Sequence, residues 1–325
     1  MIIVMGIKDI IMSNRKIIIG TRRSKLALLQ CYQVIAELQD VSNKSYNELI
    51  DSEFKLILTT GDKKQETPEA GQLNKNAWID KIEEALLNSV IDVAVHSGKD
   101  VPKNIAEGTK LIPIGKRSIP FDVFIGKSTN DGRVKFSSLE SATIGTSSLR
   151  RQLFLRKFSE SFDTVDHRGN VPTRISNLDK SSNLNGIILA AAGLMRLNVD
   201  IEYEELNQDV IVPSALQGTL VAQIREDDTH MESTLNRVVD DNTKLSFVIE
   251  REISEHLGAN CNSCVGIYSF IKESELHLVI SAISPKDMRQ VRLNKSEELS
   301  NIDVDRFLSE VKAEEKFEEL RDIIA

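Results

Sequence analysis

Residues 16–20, Lys-Ile-Ile-Ile-Gly, form an apolar run that reads as a buried strand. A sharp polar turn follows. Leu26, Leu28, Leu29, Val34, Ile35 and Leu38 then recur at helical spacing, which predicts an amphipathic helix up to about residue 39. Residues 54–60 read as a second strand. Residues 61–76 are polar, with Pro68 and Gly71, and read as a long loop of the kind that serves as a lid or linker. A helix is predicted over 77–90 and a buried strand over 91–96.

The alternation restarts in the middle of the chain. Strands are predicted at 142–145, 163–166 and 186–191, with helices at 147–158 and from 172 to 178. Repeated strand–helix–strand units imply mainly parallel sheets with helices on both faces. The last eighty or so residues differ. A helix at 245–257 precedes apolar runs at 264–271 and 276–284 and a shorter one near 290, and a charged helix closes the chain at 303–323. Helices beside consecutive strands suggest a small α+β unit. Neither an internal repeat nor a low-complexity tract interrupts this pattern.

Composition narrows the class. A chain of 325 residues with 41% hydrophobic and 28% charged positions is a folded globular protein of two or three domains. The formal net charge of −8 argues against a nucleic-acid partner. It is unevenly spread, however. Residues 295–325 hold ten acids and five bases, whereas residues 146–174 hold six bases and three acids. The mean therefore conceals a local basic field. No apolar run is long enough for a membrane span, so no membrane partner is expected. The apolar N-terminus lacks the basic start and small-residue cleavage site of a secretory signal. Three cysteines, Cys31, Cys261 and Cys264, cannot build a disulfide framework, which points to a reducing compartment.

Three strands end in polar clusters: Gly20-Thr-Arg-Arg-Ser24, His96-Ser-Gly-Lys-Asp-Val-Pro102 and Gly145-Thr-Ser-Ser-Leu-Arg-Arg151. A fourth cluster is His167-Arg-Gly-Asn-Val-Pro-Thr-Arg174. Ligands of open α/β sheets sit beyond the carboxyl ends of strands. Hydroxyls and free helix-start amides bind anions there, and Arg recognises carboxylates in a fork. The bland alternative is capping serines with solvated arginines. Neither common nucleotide-cradling glycine pattern is present, so the indicated ligand is small and carries several negative groups. Asp100 reads either as a carboxylate over a reacting cation or as a turn former before Val101-Pro102. Cys261-Asn-Ser-Cys264 reads as half of a zinc site, a redox pair, a single covalent anchor, or two small buried side chains.

Together the clusters resemble the porphobilinogen deaminase (hydroxymethylbilane synthase) family. The matching residues are Gly20-Thr-Arg-Arg-Ser24, Val95-His-Ser-Gly-Lys-Asp-Val-Pro102, Ile144-Gly-Thr-Ser-Ser-Leu-Arg-Arg-Gln152, Arg168-Gly-Asn-Val171 with Thr173-Arg174, Ile187-Ile-Leu-Ala-Ala-Ala-Gly-Leu194, Ser214-Ala-Leu-Gln-Gly218 and Leu257-Gly-Ala-Asn-Cys261. They occur in family order over about residues 16–285.

The resemblance implies an α/β fold: two doubly wound α/β domains like type II periplasmic binding proteins, plus a small α+β C-terminal domain. The expected divisions are 15–115 with 217–237, then 118–212, then 241–325. The implied enzyme joins four porphobilinogen molecules head to tail, losing ammonia each time, and releases linear hydroxymethylbilane. The implied cofactor is a dipyrromethane held by a thioether at Cys261. Asp100 is the implied catalytic residue. Ser97, Lys99, Thr146, Ser148, Arg150, Arg151 and Gly169 would hold the cofactor. Arg22, Ser24, Lys75, Arg168, Arg174 and Gln217 would hold substrate, and no metal is implied. The alternative is a non-catalytic anion binder on the same fold. The family expectation is a monomer. An appended uroporphyrinogen III synthase is not expected, since few residues follow the third domain. The default compartment is the cytoplasm, or a plastid or other organelle if the N-terminus is a processing remnant.

Several positions depart from the family pattern. Gly98 stands where Leu or Met is usual, which predicts a more mobile loop around Asp100. Ala259-Asn260 replaces Gly-Gly, and Cys264 replaces Pro. Trp78 replaces Phe, and Asp80 stands where a basic residue is common.

Overall fold

The computed structural model describes residues 16–46, 50–59, 79–259 and 263–324. The chain begins with β1 (Ile17–Arg22), α1 (Lys25–Tyr46), β2 (Ser52–Ile57), α2 (Asp80–Leu87), β3 (Val93–Ser97), a 3-10 turn (Gly98–Asp100) and β4 (Thr109–Ile114). It continues through β5 (Asp122–Gly126), a small hairpin of β6 (Ser128–Thr129) and β7 (Gly132–Arg133), β8 (Ala142–Gly145), α3 (Leu149–Phe158) and β9 (Phe162–Val165). Then come α4 (Val171–Lys180), β10 (Gly186–Ala190), α5 (Ala191–Leu197) and β11 (Glu204–Leu206). The remainder is β12 (Leu220–Arg225), α6 (Thr229–Asn236), α7 (Asp241–His256), β13 (Val265–Lys272), β14 (Glu275–Ile283), β15 (Gln290–Glu298), α8 (Val304–Lys312) and α9 (Glu315–Ile324).

Two five-stranded sheets share one plan, β2-β1-β3-β12-β4 and β9-β8-β10-β5-β11. Each has parallel pairs at its β1- or β8-centred side. In each, one strand runs antiparallel to both neighbours: β12 in the first, β5 in the second. Both sheets are therefore mixed rather than mainly parallel. The reason lies in the crossings. The chain leaves the first sheet after Ile114 and enters the second through β5, then leaves after Leu206 and returns through β12. A strand inserted by a crossing from another unit is free of the right-handed crossover that makes successive strands parallel.

The third unit is an antiparallel meander, β13-β14-β15. One face packs beneath α7, α8 and α9 through Ile249, Ile253, Phe307, Val311, Phe317 and Leu320. From the other face, Tyr268 and Val279 join a core with Phe124, Ile144 and Phe154 of the second unit. This is the α/β class with a small α+β unit. The single helix read over 303–323 is two helices, separated at Ala313 and Glu314. The break lets Phe307, Leu308 and Val311, and then Phe317 and Leu320, all reach the same core.

The two crossings touch. Ser118 N–H donates to Gly218 O at 3.2 Å, and Arg117 Nε donates to Gln217 O at 2.9 Å. Gly218 has φ +92°, and a Cβ there would sit 2.5 Å from Ser118 O, so only glycine allows this approach. Arg117 also pairs with Glu250 of α7, Nη1 to Oε1 at 2.6 Å. Glu250 is fully buried and accepts from the Leu216 and Ser269 amides as well. One carboxylate thus ties the second crossing, the first crossing and the third unit together.

Candidate active site

A cavity of about 810 Å³ lies between the first two sheets. Its walls come from the ends of β1, β3 and β10, the first turns of α1 and α4, α5, and the second crossing. Ser24 Oγ accepts from the Ala27 amide at 3.2 Å, which caps α1. Asn170 Oδ1 accepts from the Thr173 amide at 3.0 Å and caps α4, whose first turn also holds Pro172. Two helix starts, each carrying partial positive charge, therefore border the same space.

Ser97, Lys99 and Asp100 reach the cavity from the turn after β3. Gly98 is buried, its amide donates to Thr219 O at 2.9 Å, and a Cβ there would come 2.9 Å from the Leu216 Cβ. The turn thus rests on the second crossing. A larger side chain would displace Leu216, whose own φ is +60°.

A buried charge network underlies the cavity. Asp122 is 0% exposed. Its Oδ2 accepts from Arg150 Nη2 at 2.8 Å, and its Oδ1 accepts from Arg151 Nη2 at 2.7 Å and from Gln217 Nε2 at 2.9 Å. Burial alone would raise this carboxyl; the two guanidiniums overcome that and hold it well below the usual carboxylate range. Gln217 Nε2 also donates to Pro120 O at 2.7 Å, while Gln217 Oε1 accepts from Lys99 Nζ at 3.1 Å. Burial, and next the Arg151 charge, lower the Lys99 ammonium to about 8 against the pull of Asp100 and Asp122. Burial, with Arg151 and Arg168, lowers Arg174 to about 10. The bases crowd one another: the cavity holds more positive charge than its own acids neutralise.

The domain family whose model matches residues 17–233 is described as porphobilinogen deaminase, dipyromethane cofactor binding domain. The chain is 39% identical over 266 residues to the porphobilinogen deaminase of Lachnospira eligens, covering 81% of this chain and 87% of that one. It is 37% identical over 264 residues to that of Clostridioides difficile, covering 81% and 85%. With that of Natranaerobius thermophilus it shares 34% over 317 residues, covering 91% and 99%. The chain belongs to the porphobilinogen deaminase family. Among solved structures, the methionine-binding protein MetQ matches with a TM-score of 0.41 and 12% identity, covering 72% of this chain and 94% of MetQ.

As a porphobilinogen deaminase, the chain is a transferase of porphyrin and haem biosynthesis with a dipyrromethane cofactor. The cavity fits such a group, whose pyrroles bear acetate and propionate arms. Arg196 lines the cavity, is lowered to about 10 by burial, and its Nε is buried without a hydrogen-bond partner among the described residues. Arg196 Nη2 donates to Gly218 O at 2.7 Å. Together with Lys99, Arg151 and Arg174 it would hold the carboxylates of a bound chain of pyrroles.

The structure brings Arg22, Ser24, Ser97, Lys99, Asp100, Arg151, Gly169, Arg174 and Gln217 to this one cavity. It does not bring Thr146, Ser148, Arg150 or Arg168 to its wall. Thr146 is buried, and its Oγ1 accepts from the Ser148 amide at 3.3 Å. Ser148 precedes α3 at its N-cap position. Arg150 is directed inward, to Asp122 and to Val212 O at 2.6 Å. Arg168 is exposed and pairs with Asp166 at 2.6 Å. Lys75 and Cys261 lie outside the described residues, as do the loop at 61–76 and Trp78.

Cys264 is buried in the core shared with the second unit, and burial raises its thiol pKa. Its Sγ faces Ile323 O at 3.7 Å. Of the readings for the Cys pair, a small core side chain describes Cys264. Among the described residues no group of three or more His, Cys, Asp or Glu could hold a metal ion.

Sequence reasoning missed Asp122, Arg196 and Gln30. Asp122 carried a signal: an acid opening the apolar run Val123-Phe-Ile125 needs a cationic partner to be buried. Arg196 follows the Ala-rich strand end by one helical turn and had no comparable local sign.

Proposed function

We infer that this chain joins four porphobilinogen molecules head to tail, with loss of one ammonia each time, on a covalently held dipyrromethane, and then releases linear hydroxymethylbilane by hydrolysis. The observation that carries the reading is the Asp100 carboxylate set among Arg22, Lys99, Arg151, Arg174 and Arg196 on the wall of one cavity. The cations bind and orient the acidic arms of substrate and product. Lys99 does so as a compact charge and the arginines as forks. Asp100 accepts hydrogen bonds from pyrrole N–H groups. It also stands as counter-ion to the positive charge that develops on substrate when the aminomethyl carbon loses nitrogen. When bound, the dipyrromethane supplies the pyrrole carbon to which the first unit is joined. Cys261 is the residue proposed to anchor it. The working form is proposed to be a monomer with a small-molecule substrate, without nucleic-acid or membrane partners and in the cytoplasm. Among the described residues no helix is long and apolar enough to cross a membrane.

Intact mass under denaturing conditions tests the reading. The expected mass exceeds that of the chain by two deaminated porphobilinogen units, and Cys261→Ala lacks the excess. A chain of unmodified mass that gains nothing on addition of porphobilinogen overturns it.

A further inference from the structure

The last two turns of α7 lie against the chain that leaves the Asp100 turn. Phe247, Arg251 and Glu255 recur every four residues and so share one face of that helix. Phe247 packs with Leu111, Leu216 and Val221, which seats the face on the first unit and the second crossing. One turn further on, Arg251 Nη2 donates to Lys103 O at 2.8 Å and Nη1 to Pro102 O at 3.4 Å. Arg251 Nε pairs with Glu255 Oε1 at 2.9 Å, which holds the guanidinium in this orientation, and the arginine side chain is only 18% exposed.

Lys103 completes the contact from the other side. Its Nζ donates to Glu255 O at 2.9 Å. That carbonyl belongs to the last turn of α7, where carbonyls carry partial negative charge and favour a cation. A helix side chain thus holds loop backbone, and a loop side chain holds helix backbone. Neither Arg251 nor Lys103 lines the cavity.

The contact joins two places that matter to the reaction. Asp100 stands two residues before Pro102, and Val101 and Pro102 are both buried. The Val101 amide donates back to Gly98 O at 3.1 Å, and the ring of Pro102 fixes its φ, so the step from the turn to Lys103 has little freedom. At the other end, Glu255 precedes Cys261 by six positions along the chain.

We propose that Arg251 and Lys103 are positioning residues that clasp the end of α7 to the segment after Asp100, and so set the helix that leads to Cys261 against the carboxylate. This rests on the function proposed above. Each addition needs the free end of the anchored pyrrole chain within bonding distance of the methylene carbon whose charge Asp100 balances. A misplacement of about 1 Å can cost ~10²-fold in rate. Binding of porphobilinogen draws on the cations of the cavity wall, which the clasp does not touch. Loss of the clasp therefore acts on kcat and leaves KM unchanged.

The test compares Arg251→Met, Lys103→Met, their double variant and Lys103→Arg, with rates expressed per chain that carries the cofactor, counted by intact mass. Arg251→Met should lower kcat roughly tenfold at constant KM. Lys103→Met should lower it less, Lys103→Arg should restore it, and the double variant should fall little beyond Arg251→Met, because both residues hold the same two segments. Lys103 is exposed, so its variants serve if Arg251→Met does not fold. Amide hydrogen exchange on the substrate-free protein should quicken at Gly98 and Val101 in the Met variants. A merely structural role would instead quicken exchange throughout the chain and leave kcat per cofactor-bearing chain as it was. Either of those results overturns the clasp. If the unsubstituted protein consumes no porphobilinogen, the proposed reaction falls, and local exchange at Gly98 and Val101 alone decides the clasp.

Discussion

Lys99 Nζ donates to the side-chain oxygen of Gln217 at 3.1 Å, although 118 positions separate them. The other end of the same amide donates to Asp122 and to Pro120 O. Its two ends are thus assigned by their partners, and Lys99 of the first unit is tied to the arginine pair of the second. Gln217→Met preserves length and removes both ends of this bridge. We expect kcat/KM for porphobilinogen to fall roughly tenfold or more, carried mainly by KM, since a hydrogen bond to a charged group is worth ~1.5–3 kcal/mol. Steady-state kinetics would show this.

Asp122→Asn leaves Arg150 and Arg151 buried without their shared counter-charge. Uncompensated buried charge costs about 3–5 kcal/mol, which urea unfolding would measure. The native protein also carries an acid sensitivity of definite sign. Asp122 is depressed in the fold relative to an unfolded Asp near ~3.9, so its stabilisation is present above about pH 4 and is lost as pH falls below it. His96 adds to this earlier. Its folded value of about 4 lies below the unfolded value near ~6.5, so stability declines as pH drops below about 6.5. In His96→Gln the decline between pH 6.5 and 4 should shrink.

Lys99 predicts opposite trends for binding and stability at alkaline pH. With a folded value of about 8, it loses its charge above pH 8, and affinity for the carboxylates of porphobilinogen should fall there. An unfolded Lys remains protonated up to about 10.4, so this residue's contribution to stability rises between pH 8 and 10.4. Lys99→Arg should keep affinity flat across that range, as read from KM against pH.

Asp100→Asn removes the carboxylate that stands among the bases of the cavity wall while keeping the side chain's size. Turnover is expected to fall by roughly 10²-fold or more, with the mass excess on the chain retained. Intact mass and single-turnover rates on the same preparation separate the two effects. Unchanged turnover would remove Asp100 from the reaction.

Arg117 and Glu250 form the joint between both crossings and the third unit. Glu250→Gln should lower unfolding free energy by about 3–5 kcal/mol, because Arg117 stays buried and loses its partner. The pair Arg117→Met with Glu250→Leu should recover part of that loss, since no lone charge remains. Denaturant unfolding of the single and double variants reads the difference.

Much of this site was legible from local pattern. The clusters after β1 and β3 could be read because a strand ending in Gly, hydroxyl and basic residues has few other uses. Arg22 and Asp100 were found that way, and both line the cavity. Arg150 and Arg151 are adjacent and looked alike. Helical geometry turns them apart, so that Arg151 reaches the cavity and Arg150 does not.

The chain's own pattern determined the two α/β units, the α+β end and the family, since periodicity and short motifs are carried by neighbouring residues. It also revealed a basic field concealed by a net charge of −8. Tertiary structure alone decided which bases face the ligand and which are spent on Asp122. It likewise decided that β5 and β12 run antiparallel. Those outcomes depend on partners about 30 to 130 positions away, as Arg150 with Asp122 and His96 with Gln223 show. Long-range pairing of buried charge is fixed by which groups the crossings bring within hydrogen-bond reach, and no local sequence pattern records that.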